Sequence, residues 1–555
     1  MSLTTSGLTL GAGDRQEAAS RRRAVTFLTW AVPALVAAAL GCYEIGVPML
    51  WRDELASWSA ASRTLPQLWT MLHQIDAALG VYYFGLHLWM AIVGDSATAM
   101  RLPSVIAMTG AAAVVALIGR RLAGVGAGLA GGLVFALIPS VSRYAQEARP
   151  YAAAAFFAAL ATLLLLRAVE NPRWHRWGLH ALAVAAAGAF NLVAVCVLAG
   201  HAVAVLAAAW QRTAPHGSTF AVRVRSARQN RGTVAILAGY CLSAVVAVVI
   251  DAPIVIEGHR QSLSQIGQQQ TPSLAELAGL RGALWPQLFC SSHLAIAILV
   301  LAVASVLAAP RRAAPSCGLA FATVPIAVIW LISQGPASYW VVRYLMFTVP
   351  AWALSAGLGV AGIGDLLLRV RAARLGSALQ PRHLVATGLV VAVGLLGVHD
   401  QRAIRQPQAH NRWAYPLAEA NGEPVDYQGA AEVIAAHERR GDGIVYQVSD
   451  HNHYQVDTSV AYYLRGKAKP TPVFQAKTQA QAGTLQPVEC DGPARCLAGT
   501  HRLWVVYVNH LVLGSYLDPF LAMPPAEAAV LRERGYHVRA LYKEDGITVA
   551  LMARR

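Results

Sequence analysis

A multi-pass α-helical membrane protein with about eleven transmembrane helices and a C-terminal extracytoplasmic α/β domain is the fold class that this sequence predicts. Three observations carry it. The 555 residues are 56% hydrophobic and only 13% charged, a balance that soluble domains do not show. Apolar runs long enough to cross about 30 Å of hydrocarbon follow one another from Ala24 to about Val398. Arginines gather in short segments between those runs, the pattern that orients helices in a bilayer. The net charge of +16 therefore reads as topology rather than as a nucleic-acid surface.

A polar segment ending in Arg21-Arg22-Arg23 precedes the first run, which carries no A-x-A-like cleavage signal. Residues 1–23 are expected to be a cytoplasmic tail and the first span, Ala24 to about Gly41, to be uncleaved. Cys42 to about Asp95 then lies outside. Spans near Ala97–Ile118, Leu122–Ile138 and Ala152–Leu166 alternate between Arg120-Arg121 inside, the Ser142–Tyr151 segment outside, and Arg167, Arg173 and Arg176 inside. Runs at Leu179–Phe190 and Leu192–Trp210 form a hairpin around Asn191 and lead to a basic segment with Arg212, Arg223, Arg225, Arg228 and Arg231. A span at Thr233–Ile250 exits into a Gln-rich loop, Asp251–Gln287. Leu294–Ala309 returns to Arg311-Arg312, Leu319–Ile332 exits, Tyr344 to about Gly364 re-enters to Arg369, Arg371, Arg374 and Arg382, and Leu384–Val398 exits last. Residues 24–400 form the membrane domain on this reading, and residues 401–555 lie outside the plasma (inner) membrane.

From about Gln401 the patterning changes. Asp426–Glu438 and Pro525–Arg534 read as helices, whereas Gly443–Tyr446 and Leu503–Tyr507 read as buried strands, which together make an α/β domain. Five cysteines, Cys42, Cys196, Cys241, Cys290 and Cys317, lie in or beside spans as packing residues. Cys490 and Cys496 share a loop of this domain, spaced for a disulfide in an extracytoplasmic compartment. A zinc site there would need more ligands than the nearby His501.

The candidate chemistry sits on the external side. Trp51-Arg52-Asp53-Glu54 places two carboxylates just beyond the first span, followed by an aromatic, amphipathic stretch with Trp58, Trp69 and Leu72 that suits the membrane surface. The plain alternative is that Asp53 pairs with Arg52 or caps the helix beginning near Leu55. Asp76, Glu147 and Arg149 fall on the same side. Arg149 could face a phosphate with Glu147 orienting it, or Arg143 and Glu147 could form a structural i,i+4 pair. Arg343 stands at headgroup depth before an apolar helix, placed either to hold a substrate or to snorkel. The external histidines His73, His87, His259 and His293 lack metal-ligand spacing. No glycine-rich nucleotide loop and no G-x-S-x-G elbow is present.

Taken in order, these residues resemble the GT-C superfamily of multi-spanning glycosyltransferases, in the protein O-mannosyltransferase and aminoarabinose-transferase branch. Asp53-Glu54 is similar to that branch's acidic pair in the first external loop. Val81-Tyr82-Tyr83-Phe84-Gly85-Leu86-His87 matches its Tyr-Tyr segment, Tyr144–Tyr151 its motif before span four, and Arg343-Tyr344-Leu345 its late Arg-Tyr-Leu. Where many members have His-Pro-Pro before the Tyr-Tyr pair, this chain has Asp76-Ala77-Ala78-Leu79-Gly80, a variant similar to actinobacterial members.

The resemblance implies inverting transfer of a sugar, mannose first, from a polyprenyl-phosphate donor to a glycan, lipid or protein acceptor among membrane lipids. Asp53 would act as general base and Glu54 would support it. Arg343, Arg149, Glu147, Asp76, Tyr82, Tyr83 and Tyr344 would line the substrate site. No metal cofactor is required, because cationic side chains can hold the leaving phosphate. Arabinofuranosyl transfer in cell-wall glycan assembly is the alternative within the class. A multi-span transporter is the alternative outside it, although it would place ionisable groups near span centres.

Overall fold

The computed structural model describes residues 12–213, 226, 229–265, 270–279, 284–308, 313–371, 381–410, 425–447, 455–497, 499–509 and 518–554. Helix α1 (Ala12–Cys42) leads to three short helices outside the candidate spans, α2 (Arg52–Ala61), α3 (Leu65–Leu72) and α4 (Gly80–Val93). There follow α5 (Ala97–Ala123), α6 (Val125–Leu137), α7 (Pro139–Ala145), α8 (Tyr151–Glu170), α9 (Trp174–Phe190) and α10 (Val197–Gln211). The rest of the helical part is α11 (Arg231–Gln265), α12 (Ser292–Ala308), α13 (Ala313–Ile332), α14 (Val349–Arg371) and α15 (Pro381–Ala403).

Helices occupy all eleven expected span positions, but not all have the length of a span. Among the described residues, eight are long and apolar enough to cross a membrane, or nine if α6 and α7, bent by 62° at their junction, count as one. At 17 residues, α9 reaches only about 26 Å at about 1.5 Å per residue, and the described part of α12 ends at Ala308. The expected Gln-rich loop after Ile250 is also partly helical, since α11 continues to Gln265 and short helices follow at Leu274–Ala278 and Leu284–Phe289. The basic positions Arg223, Arg225, Arg228, Arg311, Arg312 and Arg374 lie outside the described residues.

Local signals explain the boundaries. The Ser96 hydroxyl accepts from the Ala99 N–H at 3.2 Å to start α5, and Thr64 with Gln67 forms a capping box that starts α3. Arg120 and Arg121 sit in the last turn of α5, where cations suit the helix dipole. Gly124 then turns the chain at φ 90°, a conformation that favours glycine, and α6 runs back along α5. Small residues let the spans touch backbone to backbone. A Cβ on Gly357 of α14 would run into Gly131 of α6, and one on Gly359 would run into the Leu301 carbonyl of α12.

The C-terminal part builds a five-stranded sheet from β1 (Gly443–Tyr446), β2 (Thr471–Pro472), β5 (Arg502–Val508), β6 (Tyr536–Glu544) and β7 (Ile547–Arg554), in the order β2-β1-β5-β7-β6. The first three strands are parallel and the last two antiparallel, and a separate ribbon pairs β3 (Gln475–Lys477) with β4 (Val488–Glu489). Helices α16 (Tyr427–His437), α17 (Val456–Tyr463) and α18 (Pro525–Glu533) cover it. Alternate residues serve two cores, as a pleated strand dictates. Val445, Val505, Tyr507 and Met552 face one with Leu531 of α18, while Ile444, Trp504, Val506 and Val549 join Leu55, Leu68 and Tyr83 of the short helices in the other. Thus α2 to α4 and the sheet share one hydrophobic core. Cys490 and Cys496 are joined as a disulfide across a six-residue separation.

One buried ion pair fixes the short helices to the spans. The Glu54 carboxylate of α2 accepts from Arg101 Nε and Nη2 of α5, both at 2.8 Å, and both side chains are fully buried. Glu54 also accepts from the Ala148 N–H at 2.8 Å, and Arg101 Nη1 donates to the carbonyls of Ile45 and Pro48. Burial would raise the Glu54 carboxyl, but the Arg101 charge and hydrogen bonds, with His410, hold it well below the usual range.

Arg101→Met should therefore destabilise the protein by about 3–5 kcal/mol, because it leaves a buried charge uncompensated, and adding Glu54→Gln should restore part of the loss. Denaturation of both variants in the same detergent checks this, and equal losses in the two would show that the pair is not coupled. Gly359→Val should cost about 1–3 kcal/mol by forcing α14 away from α12. A melting temperature equal to wild type would mean that the helices can yield there.

Candidate active site

A cavity of about 860 Å³ opens beside α2, bounded by the Gln74–Leu79 segment, the start of α8, the Phe190–Cys196 turn, α11, the Tyr339–Tyr344 segment and Thr484–Gln486 from the sheet domain. Its charged wall follows from how α2 begins. Trp51 is the N-cap, its ring buried with Nε1 donating to Glu147 Oε1 at 2.9 Å. Glu54, at the third helical position, closes back on the Trp51 N–H at 3.4 Å. The capping role considered for Asp53 thus belongs to Glu54, and Asp53 lines the cavity.

Three guanidinium groups surround Asp53. Its Oδ2 lies 3.6 Å from Arg343 Nη2 and 3.8 Å from Arg149 Nη2, and its Oδ1 lies 3.5 Å from Arg52 Nε. The Arg52 contact expected from sequence is present, but it is one of three. Burial would raise the Asp53 carboxyl, yet Arg149, Arg343 and Arg52 outweigh it and hold the group below its ordinary value. The pairs to Arg149 and Arg343 are longer than close charge-assisted hydrogen bonds. They bring the charges together on one wall of the cavity.

Each arginine is aimed by its neighbours. Arg149 Nη1 donates to the Asp53 carbonyl at 3.4 Å, the Ser57 hydroxyl at 3.3 Å and the Tyr83 hydroxyl at 3.4 Å. Arg343 Nε donates to the Tyr151 hydroxyl at 3.1 Å, and its guanidinium lies over the Trp51 and Tyr344 rings. The Asn191 amide donates to the Tyr344 carbonyl at 2.8 Å, tying the α9 turn to the Arg343 segment.

Asp76 also lines the cavity, with its backbone at φ 60°, an uncommon conformation for a residue other than glycine. Its Oδ2 accepts from the Tyr83 hydroxyl at 2.8 Å. Here burial prevails over Arg149 and Tyr83, and the carboxyl is pushed up. The cavity thus holds two aspartates shifted in opposite directions by their neighbours.

Among the residues expected at the site, Asp53, Asp76, Arg149, Arg343 and Tyr344 line the cavity. Tyr83 stands behind it, bridging Asp76 and Arg149. Glu54 faces Arg101 instead. Glu147 sits 3.1 Å from Arg143 and accepts from Trp51, so the structure realises the i,i+4 pair and not an orienting contact with the Arg149 guanidinium. The Tyr82 hydroxyl is buried without a partner among the described residues and does not line the cavity. Sequence reasoning missed Tyr151 and Asn191 as neighbours of the site, and Arg101 as the partner of Glu54. Arg101 carried one signal, a lone arginine just inside an apolar run, which a snorkelling side chain would give equally. Among the described residues no group of three or more His, Cys, Asp or Glu side chains could hold a metal ion.

Residues 77–223 match the family model for dolichyl-phosphate-mannose-protein mannosyltransferases, a minority of the chain that includes Tyr83 and Arg149. No curated protein matches the sequence. Among solved structures, the chain is similar to ArnT from Cupriavidus metallidurans bound to undecaprenyl phosphate, with a TM-score of 0.56 at 14% identity over 94% of this chain and 97% of that one. It is similar to the same protein in its apo state, with a TM-score of 0.52 at 15% identity over 97% and 98%. At such identities the likeness is one of fold along nearly the whole chain, and residues 77–223 carry the one family-model match.

Proposed function

We propose that the chain transfers a sugar, mannose in the first instance, from a polyprenyl-phosphate donor to an acceptor hydroxyl at the extracytoplasmic face of the plasma membrane. The observation that carries this reading is the Asp53 carboxylate with Arg149 and Arg343 within 3.8 Å on one cavity wall. The undecaprenyl phosphate of the ArnT structure supports the donor class, and the family match supports mannose.

In the proposed step the acceptor oxygen forms a bond to the anomeric carbon as the bond from that carbon to the phosphate oxygen breaks. The acceptor proton passes to Asp53 and the electron pair leaves with the polyprenyl phosphate, which gains one negative charge. One displacement inverts the anomeric centre. Arg149 and Arg343 face the growing charge without moving a proton. A bound donor phosphate would also share their charge with Asp53, relax its depressed pKa and make it a better base at the moment it is needed. Asp76, held up by burial and bonded to Tyr83, is suited to hydrogen-bond the sugar.

Asp53→Asn should lower release of polyprenyl phosphate by about 10²–10⁴-fold while the protein still folds. Wild-type turnover in that variant would remove Asp53 from the base role. Arg343→Ala should weaken donor binding by about 10–100-fold, through loss of a charge-assisted contact, and an unchanged donor titration would instead indicate a snorkelling side chain. The two aspartates also predict different pH profiles. A carboxyl held below its ordinary value of 3.8 stays ionised as pH falls, so kcat/KM should hold from neutrality down to about pH 5. An acid limb above the ordinary aspartate range would point to Asp76 as the base.

A further inference from the structure

A second cavity, of about 420 Å³, lies between α2, α3 and the sheet domain, inside the usual range of about 300–1,000 Å³ for small-molecule sites. Two charged side chains from opposite walls line it with part of their bonding capacity unused. Arg63, just after α2, is 4% exposed. Its Nη2 donates to the Thr484 carbonyl at 2.5 Å, whereas Nε and Nη1 are buried without hydrogen bonds among the described residues. Asp457, in the first turn of α17, is 8% exposed. Its Oδ2 accepts from the Gln479 amide, and its Oδ1 is buried without a hydrogen bond among the described residues, although the carboxyl group lies beside the Thr458 backbone and hydroxyl. Buried polar atoms are nearly always satisfied, and two such side chains at one cavity mark a place built to be filled.

The chemistry selects the ligand. An unpaired carboxylate oxygen wants a donor and an unpaired guanidinium wants an acceptor, and a hydroxyl supplies both. A ligand carrying several hydroxyls can therefore satisfy both groups at once, and because Lys469 and Glu489 also line the cavity, its charges are balanced, two of each sign, which favours a neutral ligand over an anion. Gln67, Gln447 and Gln475 add further hydrogen-bonding groups, and Trp58, Pro472 and Phe474 offer apolar surface suited to the C–H faces of sugar rings. An extended peptide fits poorly. The neighbouring sheet edge is β2, only two residues long, and Pro472 within it has no N–H to offer an added strand.

We propose that this second cavity binds a neutral saccharide segment of the acceptor, a deepening that rests on the glycosyl-transfer reading above. Thr484 and Gln486 line the first cavity, and Pro487 and Glu489 of the same stretch line the second. An acceptor glycan held at Arg63 and Asp457 has a single chain segment to cross to reach Asp53.

The test is saturation-transfer NMR on the full-length protein in lipid nanodiscs, with linear mannotetraose, a linear arabinofuranosyl tetrasaccharide and a Ser/Thr-rich peptide as probes at millimolar concentration. At least one saccharide should bind, with Asp457→Asn and Arg63→Met each weakening it by about tenfold or more, and Gln479→Ala serving if either variant fails to fold. Asp53→Asn should bind as wild type, and no turnover is needed, so an error in the base assignment leaves this readout intact. Binding that depends on Asp53 but not on Asp457 and Arg63, binding of the peptide alone, or binding of no probe would each overturn the proposal.

Discussion

The cavity and the helices beside it depend on the buried pair of Glu54 and Arg101. Two charges without solvent exposure are tolerable only because every strong bonding direction is used. Arg101 takes up the carboxylate and two loop carbonyls, and Glu54 in return holds the Ala148 N–H. Four chain segments meet there: the end of the first span's loop, α2, α5 and the turn that carries Arg149. Because Asp53 precedes Glu54 and Arg149 follows Ala148, fixing the buried pair also fixes the distance between the cavity's carboxylate and one of its guanidinium groups. A pair that takes no part in lining the cavity thus sets the geometry of those that do.

Within the cavity, neighbours rather than residue type decide the role of each carboxyl group. Burial raises the carboxyl of both Asp53 and Asp76. Three arginines around Asp53 reverse it, while Arg149 and the Tyr83 hydroxyl near Asp76 do not. Arg149 belongs to both environments, and Tyr83 links it to Asp76, so a ligand that draws on Arg149 alters both aspartates together. The sheet domain also contributes. It shares a core with α2 to α4 and supplies Thr484–Gln486 to the cavity wall, so it belongs to the site's architecture and is not merely appended to the spans.

Much of the helical layout was readable in the sequence, because a membrane-crossing helix must be apolar along its whole length and basic residues mark its inner end. Every expected run from Ala24 to Val398 is helical. The lengths were less readable. Whether α9 is short and α11 continues past Ile250 depends on packing and on local caps. In the sheet domain, β1 and β5 announced themselves as apolar runs, whereas β6 did not. Residues such as His537, Arg539 and Lys543 break its apolar pattern, and it is a strand because β7 beside it supplies the ladder.

The site divides in the same way. Sequence alone determined that acidic and basic residues stand at the ends of apolar runs, because such charges have a reason to be there in any membrane protein. It singled out Asp53, Arg149 and Arg343, which lie far apart along the chain. Only the tertiary structure decided that these three meet, that Glu54 turns to Arg101 and caps α2, and that Glu147 serves Arg143 and Trp51. The physical reason is that adjacent residues in a first helical turn point about 100° apart. One of two neighbouring carboxylates therefore faces the core and the other the cavity, and which is which depends on where the opposite charges of other segments come to rest.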